Sequence, residues 1–174
     1  MRPILIPIIL LMLQSCDTVR RDYERLAGSQ IVFPHTLQRI DGRDTVPFVL
    51  SESKNRLLIY HDSASCQTCA ISKLSDWDSF IDSAKMICED LELVFVISPS
   101  RKEYKRVLKE IMIGSPRHNV AFDGCGSFAE HNPQIPRDSR LHIMLLDKSN
   151  RVVVIGDPLC NPMIGSLTLD ALRK

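Results

Sequence analysis

Cys66 and Cys69 are the residues of this chain best spaced for covalent chemistry. Two intervening residues let their sulfurs close into a small disulfide ring, the reversible step of dithiol redox chemistry. The flanking residues strengthen the reading. Leu57, Leu58, Ile59 and Tyr60 form a short apolar run, and a small polar loop separates them from the pair. After Cys69, Ile71, Leu74, Trp77, Phe80 and Ile81 recur at helical intervals. A strand therefore delivers the pair to the first turn of a helix, where unpaired N–H groups and partial positive charge favour thiolate over thiol. The same spacing also suits a purely structural disulfide, or two ligands of a zinc ion completed by Cys125 and His131 or His142. The sequence has no second C-x-x-C and no H-x-x-x-H to support the zinc reading.

The elements that must position the pair alternate along the chain. The pattern predicts a hairpin within 31–50 around Asp41-Gly42, a strand over 56–61, a single long helix over 67–87 and a fully buried strand over 91–97. An amphipathic helix over 101–113 and a short strand over 119–122 come next. A Gly124-Cys125-Gly126 loop and a polar stretch holding Pro133 and Pro136 follow, then strands over 141–146 and 151–155 joined by Asp147–Asn150, and a closing helix over 162–173. This order implies an α/β domain, a mixed sheet with helices on both faces. With 174 residues, 44% hydrophobic and 25% charged, the chain has the length for one domain. A formal net charge of +1 and the lack of basic runs interleaved with aromatics argue against nucleic acid as a partner.

The N-terminus reads as an export signal. Arg2 precedes an apolar stretch over Ile4–Leu13 that is too short to span a bilayer and suits a signal-peptide core. Leu13-Gln14-Ser15-Cys16 resembles a bacterial lipoprotein cleavage box, which implies removal of residues 1–15 and lipidation of Cys16. The alternative is an ordinary secretory signal. Residues 16–30 are then a polar tether or short helix, and 31–174 the folded domain. The implied location is the bacterial cell envelope, with the protein anchored to a membrane. Cys66, Cys69, Cys88, Cys125 and Cys160 remain, an odd number that predicts at least one free thiol outside the cytosol. Cys125 and Cys160 fall in loops, while Cys88 reads as a small buried residue.

From about Ile31 to the end, the chain resembles the thioredoxin-like, redoxin-type domains of exported bacterial lipoproteins. The strand, Cys66-Gln67-Thr68-Cys69 and helix carry that resemblance, together with the strand over 91–97 and the ending LHIMLLDKSNRVVVIGDP before a helix. The resemblance implies a thiol-disulfide oxidoreductase in which Cys66 attacks and a more buried Cys69 resolves. It implies no bound cofactor, an upstream electron donor, and partner proteins carrying thiols or disulfides. Several positions depart from the family pattern. Ser65 stands where Trp is common, Tyr60 where thioredoxins carry a buried acid, Leu141 in the cis-proline slot and His142 where Thr is frequent. The alternative within the same fold is a redox-inert binding module with an architectural disulfide. Ser63 and Cys66 also match the S-x-x-C of peroxiredoxins, but Ile59 replaces the proline expected before it.

Overall fold

The computed structural model describes residues 18–41, 44–52, 54–65, 67–114 and 118–173. Residues 1–15 and Cys16 therefore lie outside the described residues. Seven strands form one sheet in the order β2-β1-β5-β4-β3-β6-β7. At its centre β3 (Asn55–His61) pairs in parallel with β4 (Leu91–Ile97), and β4 in parallel with β5 (Asn119–Phe122). On the other side β6 (Ile143–Leu146) runs antiparallel to β3, and β7 (Val152–Ile155) antiparallel to β6. The hairpin β1 (Gln38–Asp41) and β2 (Asp44–Pro47) extends the far edge and meets β5 at Gln38 and Phe122. This is the mixed α/β sheet that the sequence pattern implies.

Both faces are covered, which explains why β4 is apolar at every position except Glu92. All seven of its residues are buried. Leu57, Ile59, Leu93 and Phe95 pack on one face beneath α3 (Asp78–Lys85), α4 (Tyr104–Gly114) and α6 (Pro162–Leu172). Leu58, Tyr60, Val94, Val96 and Met144 face the other way. There they meet Phe128 of α5 (Ser127–His131) and Leu26 of a helix over 18–26, α1. The described part of the segment before the domain is thus docked. Leu26 is fully buried, Gly28 N–H donates to Val152 O at 3.1 Å and Ile31 N–H to Asn150 O at 2.8 Å.

The structure corrects the long helix expected over 67–87. It breaks into α2 (Gln67–Ser72), a 3₁₀ turn (Leu74–Trp77) and α3. Lys73 leaves helical geometry at φ −102°, ψ 6°, and the Ser72 hydroxyl bonds back to Cys69 O at 3.0 Å, competing with the helix ladder. Leu74 and Trp77 bury themselves against the sheet, with Trp77 edge-on to Phe95 at 6.4 Å. That tertiary contact outweighs the regular helical periodicity.

Two short elements interrupt the polar stretch expected as loop, α5 and a 3₁₀ turn over Ser139–Leu141. The first depends on Asp123, a fully buried carboxylate. Its oxygens accept from Ser98 Oγ at 2.8 Å, from Ser127 N and Oγ at 3.0 Å each, and from Phe128 N at 3.0 Å. No described helix is long and apolar enough to cross a membrane.

Candidate functional site

β3 and α2 meet in a tight polar turn. Asp62 Oδ1 accepts from Ala64 N at 3.1 Å, Ser65 N at 3.0 Å and Ser65 Oγ at 2.7 Å, which holds the turn shut. Cys66 itself lies outside the described residues. Cys69 sits on α2, one turn from its start, and is disulfide-bonded. The other described cysteines, Cys88, Cys125 and Cys160, are free, so the partner of Cys69 is not among the described residues. Cys69 is exposed, and the expected comparison of its burial with that of Cys66 falls outside the described residues. Helix α2 has only six residues, and its half-buried Ile71 reaches toward Gly114 at the end of α4. Its Cys69 side remains open.

The opening beside Cys69 is a cavity of about 700 Å³. Ile59, Tyr60, Trp77 and Ile143 supply its apolar floor, while Lys73, Asp76 and Asp157 place charge around it. His61 and His142 also line it. Burial lowers the pKa of His61 to about 4, helped by the nearby His142 and opposed by Asp62, so His61 is a neutral imidazole near neutral pH. Tyr60, in the position six before Cys66, is 5% exposed between the rings of Phe128 and His142, each 5.0 Å away. Burial raises its pKa, against the opposing Ser98 hydroxyl, and the phenol stays protonated. A neutral side chain therefore stands where the resemblance expects an acid.

Ser139, His142 and Ile143 also line the cavity, next to Leu141 in sequence. Leu141 ends the 3₁₀ turn and is buried, and no peptide bond among the described residues is cis. His142 is 2% exposed, its carbonyl accepts Tyr60 N–H at 3.0 Å, and its Nε2 lies 2.7 Å from Pro136 O. A carbonyl only accepts, so Nε2 carries a proton, which leaves Nδ1 as the other polar atom of the ring. That Nδ1 is buried and has no hydrogen-bond partner among the described residues. Among the described residues no group of three or more His, Cys, Asp or Glu side chains is placed to hold a metal.

No family model and no curated protein matches the sequence. Solved structures do match the architecture. The thioredoxin domain of a thiol-disulfide oxidoreductase from Bacteroides vulgatus superposes with a TM-score of 0.53 at 17% identity, over 81% of this chain and 97% of that one. The fold is thioredoxin-like. A domain described as a possible thiol-disulfide isomerase from Cytophaga hutchinsonii gives 0.55 at 14% identity, covering 84% of this chain and 94% of its own. A thioredoxin-like protein from Porphyromonas gingivalis gives 0.51 at 13%, over 83% and 92%.

The thioredoxin-like frame puts the β3–α2 junction, His142 and Ile143, and the β7–α6 turn around one opening. The last of these was not legible as part of a site. Asp157 Oδ1 accepts from Leu159 N at 2.8 Å and Cys160 N at 3.2 Å, folding the turn so that Leu159 and Cys160 reach the cavity. The turn starts at Gly156, whose φ of +126° suits glycine and whose missing Cβ would lie 2.3 Å from Ile164 Cδ1. The Asp-x-x-Cys spacing was the available signal, and only the fold shows which opening it faces.

Proposed function

We propose that this protein is a thiol-disulfide oxidoreductase acting through Cys66 and Cys69. The observation that carries the reading is Cys69 itself: exposed, disulfide-bonded, and at the rim of an apolar-floored cavity on the first helix after a central parallel strand. Cys66 directly precedes Gln67, where α2 begins, and is assigned as the partner of Cys69 and the nucleophile. Its thiolate attacks one sulfur of a target disulfide, and the other target sulfur leaves as thiolate. The Cys69 thiolate then attacks Cys66 in the mixed disulfide, releasing the second target sulfur. The target gains two electrons, the Cys66–Cys69 bond holds the oxidation, and an upstream donor restores the dithiol. The step needs no bound cofactor.

In the same reading the chain is exported, loses residues 1–15, and is lipidated at Cys16, so its partners are envelope proteins with thiols or disulfides. The competing reading is a redox-inert binding module. The buried Leu141 in the cis-proline slot and the neutral Tyr60 favour it.

Trapping separates the two. A Cys69→Ser variant of an oxidoreductase accumulates mixed disulfides through Cys66, visible as reductant-sensitive adducts that vanish in Cys66→Ser/Cys69→Ser. An inert module forms no such adducts and instead loses stability when either cysteine is replaced. For the anchor, Cys16→Ser is expected to move the protein from the membrane fraction to the soluble fraction.

A further inference from the structure

A third sulfur shares the cavity with Cys69. Cys160 is free and exposed, and it stands immediately before Asn161, whose side chain caps α6 by accepting Met163 N–H at 3.0 Å. Both cysteines line the same 700 Å³ opening, although 91 positions separate them in sequence (160 minus 69). The turn that presents Cys160 is held by Asp157, and Gly156 permits it. His142 lines the same cavity, and its buried Nδ1 is an unpartnered polar atom among the described residues.

We propose that Cys160 is a third redox thiol, which exchanges with the disulfide of Cys69 across this cavity. Cys160 gives its proton to water, and its thiolate attacks Sγ of Cys69. The bond between Cys69 and its partner breaks, the electron pair leaves with the partner sulfur, and that sulfur takes up a proton. A Cys69–Cys160 bond replaces the first one, with no oxidant or reductant consumed. This inference rests on the dithiol reading above, in which the partner is Cys66. The exchange then frees Cys66 as a nucleophile while the protein remains oxidised, which equips it to isomerise target disulfides as well as reduce them. Asp157 beside Cys160 keeps that thiol protonated at neutral pH, with Lys73 opposing, so exchange accelerates as the pH rises.

The test is disulfide mapping of the oxidised full-length protein after acid quench and alkylation, at mildly alkaline pH. Wild type is expected to show Cys66–Cys69 and Cys69–Cys160 linkages, with alkylated Cys66 at the level of the second. Cys160→Ser is expected to show only the first linkage, with Cys66 alkylation at least tenfold lower. In Cys66→Ser, a diazenedicarboxamide oxidant should close Cys69–Cys160 within one chain, while Cys88 and Cys125 stay alkylatable. Full alkylation of Cys160 in the treated Cys66→Ser protein, with Cys69 found only in intermolecular dimers, overturns the proposal. Insulin-disulfide reduction by wild type separates the two readings. Reduction without any Cys69–Cys160 bond sinks the third thiol alone. A Cys69–Cys160 bond without reduction sinks the oxidoreductase reading and leaves the exchange standing.

Discussion

His61 closes β3 at the mouth of the cavity and reports on the local environment through its proton. In the folded protein its pKa falls to about 4, because burial and the nearby His142 disfavour the charged ring. In the unfolded chain it returns to its ordinary value of 6.5. As pH falls below that value the unfolded state takes up the proton first, so stability is full above it and declines until the folded pKa is reached. Urea midpoints are therefore expected to drop between about pH 7.5 and about pH 4.5, and to drop less in His61→Asn. Equal drops in both proteins contradict the assignment. Asp123 is the residue that sequence reasoning missed most completely. Nothing marks it except Ser127 four positions on, yet it organises the end of β5 and the whole of α5. The strand–helix setting of Cys69 was legible because it is local in sequence. Cys160 was visible as a loop thiol, but its place on the same cavity as Cys69 depends on contacts far apart in sequence.

Among the elements, strands were read most faithfully. β3 and β4 announce themselves through the apolar runs Leu57–Tyr60 and Leu93–Ile97, since burial on both faces removes the usual alternation. The helix after Cys69 misled because its periodicity is regular, whereas the break at Lys73 comes from the burial of Leu74 and Trp77 against Phe95. The start of β3 carries a feature that sequence does not disclose, a buried ion pair. Arg56 Nε lies 3.5 Å from Glu92 Oε2, with side chains 3% and 7% exposed. Further bonds anchor each partner: Arg56 Nη1 donates to Asn150 Oδ1 at 2.7 Å, and Asn119 Nδ2 donates to Glu92 Oε1 at 2.6 Å. Burial lowers the pKa of Arg56 and Glu92 opposes that shift, so the buried charge is offset by its partner. Removing one member strands the other. Glu92→Gln is expected to cost about 3–5 kcal/mol in chemical denaturation. A loss under about 1 kcal/mol contradicts the view that this pair pins the β3–β4 register.

Across the molecule, the sheet is a wall with two separate cores, and the chain before β1 covers one of them. Leu26 and Ile31 seal that face beside Phe128 and Met144, while backbone bonds from Gly28 and Ile31 tie the segment to β7 and its turn. Leu26→Ala is expected to cost about 2–5 kcal/mol, the range for emptying a fully buried leucine site. A thermal or urea midpoint unchanged by that substitution contradicts the docking of α1.

The most direct test of the account is the reduction potential of the Cys66–Cys69 couple, measured by equilibration against a thiol redox buffer. An active dithiol is expected between about −270 and −120 mV, the span of the known exchange catalysts. A potential below about −300 mV contradicts the account, because a bond that resists physiological reductants holds a structure together and does not turn over.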